Sequence, residues 1–236
     1  MLGGVPRRLH AESHRSDRIG WLRAAILGAQ DGVGTLSSLL IGVAAASNDR
    51  TGLIIAGVAA IVAGALSMAA GEYTSVSSQR DVEHADIQKE SIELEETPEV
   101  ELEELTQIYE QRGLDRPLAR QVAIQLTKAD ALGSHVRDEL GLVIGGSARP
   151  VQAATVSAIG FLLGGLPSLL IAAMVPAGAR IPVIAAVALV LLAVIGTVGA
   201  RLGAAPVLRA AIRVTVIGGV AMAVAALIGN VVGTVV

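Results

Sequence analysis

The chain has 236 residues, 53% hydrophobic and 2% aromatic, with a mean hydropathy of +0.63, which is too apolar for a soluble domain of this size. The net charge of −3 conceals a segregation: 17 of the 21 acidic residues lie between Glu72 and Glu139 and none follows Glu139, so apolar ends flank an acidic, water-facing middle. The absence of cysteine excludes disulfides, thiolate metal sites and cysteine nucleophiles.

The first 20 residues carry Arg7, Arg8, Arg15 and Arg18 without an apolar core, and so do not read as a cleaved signal peptide. They fit a cytoplasmic arm over residues 1–21. Five apolar stretches follow, at 22–46, 53–76, 151–175, 181–200 and 207–236, each near the roughly 20 residues that a ~30 Å hydrocarbon core requires. Because a backbone in lipid must satisfy its own hydrogen bonds, these stretches are expected to be helices. The predicted architecture is all-α, with transmembrane pairs at 22–76, a soluble insert at 77–149 and three further spans over 150–236. Pro150, Pro182 and Pro206 are expected at helix starts, whereas Pro167, after Gly164 and Gly165, lies inside the third span and should kink it. Gly28-x-x-x-Gly32 and Ser38-x-x-x-Gly42 offer small surfaces consistent with the first span packing against its copy in a dimer.

Sixteen of the eighteen Lys and Arg residues fall in the N-terminal arm, the insert and the link before the fifth span, and only Arg50 and Arg180 fall on the opposite side. The positive-inside rule therefore puts the N-terminus and insert in the cytoplasm and the C-terminus outside. Two Lys against sixteen Arg point to a GC-rich prokaryotic genome, and hence to a prokaryotic cell membrane.

Within the insert, the second span continues without Gly or Pro through residue 96. Thr97 and Pro98 fit an N-cap and first position for a second helix that Gly113 ends, and Asp115 caps a third helix from about 116 to 140, interrupted near Gly133.

Asp31 is the sole acidic residue of the first span and lies near mid-membrane, where such a group either lines an interior path or bonds, protonated, to a neighbouring helix. Met68 reaches a similar depth, and Glu72 shares its helix face one turn nearer the cytoplasm. A thioether beside a carboxylate suits a borderline transition metal better than Na⁺ or Mg²⁺; a lone Met in a membrane helix is more commonly packing. In the insert, Glu90 with Glu93 and Glu101 with Glu104 project from two helix faces that a hairpin can oppose, and Glu139 can close the group. Such convergent carboxylates need a cation, and a divalent metal is the natural partner. A solvated acidic surface shared with Glu95, Glu96, Glu99 and Glu103 is the competing reading. His10, His14 and His84 suit plain interfacial roles. No nucleophile–base constellation and no phosphate loop is present, so no enzyme and no resident cofactor is expected; low aromatic content and an acidic middle argue against nucleic acid.

Three segments resemble the vacuolar iron transporter family: residues 27–32 around Asp31, 63–73 around Met68 and Glu72, and 137–142 around Glu139. The resemblance covers nearly the whole chain. It implies a five-span homodimer with a path formed by the first two spans, lined by Asp31 and Met68, and a cytoplasmic helical domain whose Glu90, Glu93, Glu101, Glu104 and Glu139 bind metal. It also implies export of Fe²⁺ or Mn²⁺ from the cytoplasm against protons, with Zn²⁺ and Co²⁺ as further divalent candidates. Where plant members carry two Met residues before the last glutamate, this chain has His135 and Val136, so His135 stands in place of a thioether ligand. Glu72 stands where some members have Gly, and Gly20 where plant members have an acid. The rival reading is a metal-gated channel or a metal-sensing regulatory membrane protein.

Overall fold

The computed structural model describes residues 16–142 and 148–235. The arm over residues 1–15, with His10 and His14, and residues 143–147 of the insert lie outside the described residues. Seven helices account for nearly all of what is described: α1 (Ser16–Ala46), α2 (Arg50–Glu96), α3 (Pro98–Gln111), α4 (Arg116–Asp138), α5 (Pro150–Met174), α6 (Ala177–Leu202) and α7 (Val207–Gly233). No strand occurs among the described residues. Five of these helices, α1, α2, α5, α6 and α7, are long and apolar enough to cross a membrane, and the chain is a multi-pass membrane protein.

The 47 residues of α2 reach about 70 Å at 1.5 Å each, more than twice a ~30 Å hydrocarbon core. Its first half buries Leu53, Gly57, Ile61 and Ala65 against the bundle, and its acidic second half stands clear of it with α3 and α4. The helix begins at Arg50, earlier than expected, because the Asp49 carboxylate accepts from the Thr51 and Gly52 amides at 3.0 and 2.9 Å. Thr97 takes the expected N-cap position of α3, its carbonyl accepting from the Glu101 amide at 3.2 Å, but its side chain makes no capping bond to that helix. Its hydroxyl donates to the Glu93 carbonyl at 3.1 Å, as does its amide at 2.8 Å, so Thr97 closes the end of α2. Pro98 at the start of α3 has no N–H to satisfy, and Glu99 and Glu101 place negative charge in that helix's first turn.

Gly113 takes φ +99°, the left-handed conformation that ends a helix, and Asp115 accepts from the Leu118 amide at 2.9 Å to start α4. The interruption expected near Gly133 centres on Asp130, which leaves helical geometry at φ −165°, ψ 89°. Its carboxylate accepts from the Gly133 amide at 3.0 Å and its carbonyl from the Ser134 hydroxyl at 2.7 Å, so Asp130 caps a fresh helical segment. The absence of a Cβ at Gly133 leaves room for that carboxylate against the helix.

In the membrane-crossing bundle α1 is the central helix, packed against α5, α7, α6 and α2. The glycine motifs of the first span are consumed within the chain, which corrects their assignment to a contact between copies. A Cβ on Gly28 would strike the Ser157 carbonyl and one on Gly32 the Phe161 carbonyl, both on α5; Gly42 lies against Ala225 and Gly229 of α7. Beside this seam the Ser37 and Ser168 hydroxyls, both buried, share a 2.8 Å hydrogen bond. Pro150 opens α5 and Pro206 precedes α7 as expected, but Pro182 lies inside α6, which starts at Ala177, and so removes one backbone bond there. α5 continues through Pro167 to Met174. Arg50 and buried Arg180 both donate to the Val175 carbonyl, at 3.2 and 3.3 Å, and so cap the C-terminal end of α5.

Candidate metal centre

The acidic half of α2, with α3 and α4, brings four of the expected donors into one place. One donor atom from each of Glu90, Glu101, His135 and Glu139 falls within 4.8 Å of the others. His135 Nδ1 is 2.9 Å from Glu90 Oε1, 3.0 Å from Glu139 Oε2 and 3.8 Å from Glu101 Oε2. Glu90 is 3% exposed, Glu101 5% and His135 0%, while Glu139 opens to solvent and forms the mouth of the group. Opposed ligands of a divalent ion with ~2.0–2.4 Å bonds stand about 4 to 5 Å apart, so the four atoms are spaced to share one ion. Imidazole nitrogen with carboxylate oxygen is a borderline donor set.

The electrostatics of the group are those of crowded anions. Burial, followed by repulsion from Glu139, pushes the Glu90 carboxyl up to about 7 despite the opposing pull of His135. Glu101 is also raised, by burial and then by Glu104, again against His135. Glu90 Oε1 and His135 Nε2 are both buried without a hydrogen-bond partner among the described residues. Such orphaned atoms are costly unless something else satisfies them.

Two of the expected ligands sit outside this inner group. Glu93 pairs with Lys89 at 3.2 Å and is partly exposed, and Glu104 is exposed. Both are close enough to raise the carboxyl of Glu101. The rival surface residues Glu95, Glu96 and Glu99 are exposed, whereas Glu103 is tied to Arg116 and Arg120. His84 is exposed.

A polar latch that the sequence reading did not identify holds the end of α4 in place. Asp138 accepts from Arg112 Nη1 at 2.7 Å, Arg137 Nη2 at 2.7 Å and the Tyr109 hydroxyl at 3.0 Å, and Arg112 also donates to the Asp138 carbonyl at 2.9 Å. Burial works to raise the Asp138 carboxyl, but these three donors outweigh it and hold it at about 2. The latch joins the last turn of α3 to the last turn of α4, next to Glu139. Its sequence signal was slight: an aromatic and an arginine three residues apart near the end of one helix, and an Arg-Asp pair at the end of another.

In the bundle, Asp31 is half-buried on α1 and its Oδ1 accepts from the exposed Thr35 hydroxyl at 3.0 Å. Thr35 went unnoticed in the sequence, although a hydroxyl four residues after a lone intramembrane carboxylate shares its face. With Leu27, 46% exposed, Asp31 and Thr35 form an outward stripe on α1. Met68 is half-buried and packs against the cluster of Leu36, Ile61, Ala65 and Phe161. Glu72 is buried at 9% exposure one turn further along α2. Neither Asp31 nor Glu72 belongs to a group of three or more convergent acid or histidine donors among the described residues.

The chain is similar to the Vacuolar iron transporter of Acanthamoeba castellanii, 44% identical over 211 residues that cover 88% of this chain and 78% of that protein. It is 36% identical to Vacuolar iron transporter homolog 5 of Oryza sativa subsp. japonica over 207 residues, 87% of this chain and 77% of that one. It is 35% identical to VIT-like transporter 1b of Glycine max over 205 residues, 85% and 72% of the two chains. Residues 22–230, from the start of the first span into the last, match the VIT family, and with that coverage and identity the chain belongs to it.

Proposed function

We propose that this protein transports Fe²⁺, with Mn²⁺ as a second cargo, out of the cytoplasm in exchange for protons. The observation that carries the reading is the convergence of Glu90, Glu101, Glu139 and His135 Nδ1 on one ion-sized space, with the orphaned, buried Glu90 Oε1 among them. In this reading α3, α4 and the far half of α2 form a cytoplasmic metal-collecting domain, and Glu93 and Glu104 set the field around the inner ligands. That its relatives are named as iron transporters makes iron the first cargo to test.

Asp31 and Thr35 accept the ion in the membrane, and Met68 and Glu72 of α2 serve as further donors along the path. A carboxylate costs about 2.5–3.5 kcal/mol at the centre of a membrane helix, yet Asp31 lies on an outward stripe of the single chain. A second copy closing over α1 and α2 would bury that stripe and turn it into a path, which supports a homodimer. Proton exchange has a chemical basis, since a carboxylate must shed its proton to bind metal and regains one on release. The distribution of arginines supports a cytoplasmic N-terminus and an outer C-terminus.

The test is Fe²⁺ flux into proteoliposomes carrying the full-length protein, with and without an imposed pH gradient, for the wild type and Asp31→Asn. Antiport predicts flux that grows with the gradient, counter-movement of protons, and loss of both in Asp31→Asn with the dimer intact. Flux indifferent to the gradient supports the metal-gated channel, and no flux with metal binding retained supports the sensor.

A further inference from the structure

At the end of the bundle where α1 starts and α6 turns into α7, a groove of about 660 Å³ opens between the three helices. Each helix contributes one arginine to its lining: Arg23 from α1, Arg201 from α6 and Arg213 from α7. All three are exposed, none takes part in an ion pair among the described residues, and no carboxylate lines the groove. The sequence offers no acid beyond Glu139, so neither α6 nor α7 can supply a counter-charge.

Three guanidinium groups around one recess repel each other unless an anion lies among them. Apart from Gln30, the rest of the lining is apolar, with Leu22 and Ile26 on one side and Ile195 and Val214 on the other. Gly196 lets α6 approach the Ala210 and Ala211 backbone of α7 closely, and Gly199 faces the Ile26 side chain of α1. A charged rim above greasy walls complements a molecule with an anionic head and a hydrocarbon tail. Guanidinium forks also match phosphate oxygens two at a time. The groove lies at the membrane face that carries most of the arginines, where basic pockets between spanning helices meet anionic headgroups.

We infer that this groove holds an anionic phospholipid, its phosphate among Arg23, Arg201 and Arg213 and an acyl chain along Ile26, Ile195 and Val214. Because α6 and α7 reach the far end of the bundle and α1 carries Asp31, a lipid seated here braces the helix that bears the intramembrane carboxylate. The inference is independent of which metal is moved.

The experiment uses the full-length protein in phosphatidylcholine nanodiscs with graded phosphatidylglycerol, counting retained lipid by native mass spectrometry and following thermal unfolding in parallel. The wild type should retain phosphatidylglycerol in preference to phosphatidylcholine and unfold at higher temperature with it. Each arginine near a membrane surface contributes about five-fold to anionic lipid binding, so Arg201→Gln with Arg213→Gln should reduce the preference about 25-fold. The Lys pair at the same positions should recover part of it, which separates lost charge from a folding defect. Arg80→Gln with Arg149→Gln, which lie by a different groove, should leave it within about two-fold. No preference in the wild type, equal losses from both arginine pairs, or the same stabilisation from inorganic phosphate without anionic lipid would each overturn the assignment.

Discussion

Glu90 Oε1 on α2 lies 2.9 Å from His135 Nδ1 on α4, and Glu139 Oε2 approaches the same nitrogen at 3.0 Å from the other side. An imidazole nitrogen carries at most one proton, so it cannot donate to both carboxylates at once. Only the bond to Glu139 has hydrogen-bond geometry, and Glu90 Oε1 is left buried without a partner. A divalent cation would satisfy all three atoms together.

Removing the inner carboxylates should therefore remove the response to metal. In the full-length protein, saturating Fe²⁺ or Mn²⁺ at one hundred times the dissociation constant should stabilise the fold by about 2.7 kcal/mol. Glu90→Gln with Glu101→Gln should abolish the metal-dependent rise in melting temperature, His135→Gln should reduce it, and Glu95→Gln with Glu96→Gln should preserve it. Equal losses from the inner and outer glutamate pairs in thermal melts would show a diffuse acidic surface in place of a site.

Acidification should act in opposite directions on the empty and loaded protein. Glu90 keeps its proton up to about pH 7 when folded and loses it near 4.5 when unfolded. Between those values the folded chain binds more protons, so the metal-free protein loses stability as pH rises from about 4.5 through 7, on the order of 3 kcal/mol in all. Metal affinity runs the other way, because each proton that the ion must displace weakens binding about ten-fold per pH unit below 7. Melting curves at pH 5 and pH 8, with and without Mn²⁺, read both slopes.

The Asp138 latch should tie stability to ligand geometry. Asp138→Asn leaves Arg112 and Arg137 without their shared carboxylate and should cost on the order of 2 kcal/mol, in line with the depressed Asp138 carboxyl. That stability is present above the ordinary carboxylate range and is lost only as pH falls toward 2, outside the window in which Glu90 titrates. Isothermal titration should also show weaker metal binding, since His135 and Glu139 sit on the last turn that the latch fixes.

Close helix contact at the α1–α5 seam predicts a sharp contrast between glycines. Gly32→Ala drives a methyl into the Phe161 carbonyl and should lower the melting temperature in detergent by several degrees. Gly71→Ala meets nothing within 4 Å and should be neutral or slightly stabilising. Similar behaviour of the two would mean that α1 and α5 pack more loosely than the seam requires.

Much of this protein is legible from sequence because hydrocarbon and water impose different demands on a chain. Runs of apolar residues near 20 long must be helices, and the spans were found to within a few residues for that reason. Gly113 and Asp115 announced their helix ends because their roles are local. Thr97 holds the N-cap position of α3 that its spacing predicts, but because it also ends α2 its hydroxyl goes to the Glu93 carbonyl and not to an α3 amide.

What periodicity determined is which glutamates share a helix face: Glu90 with Glu93, and Glu101 with Glu104. It did not determine how deep each one sits. Tertiary packing alone turned Glu90 and Glu101 inward onto His135 and left Glu93 and Glu104 at the edge, because the bend at Asp130 and the Asp138 latch aim the end of α4 between the other two helices. The glycines of α1 show the same division. The sequence marked a surface for close approach, but any backbone can accept such an approach, and only the folded bundle decided that α5 and α7 of the same chain occupy it.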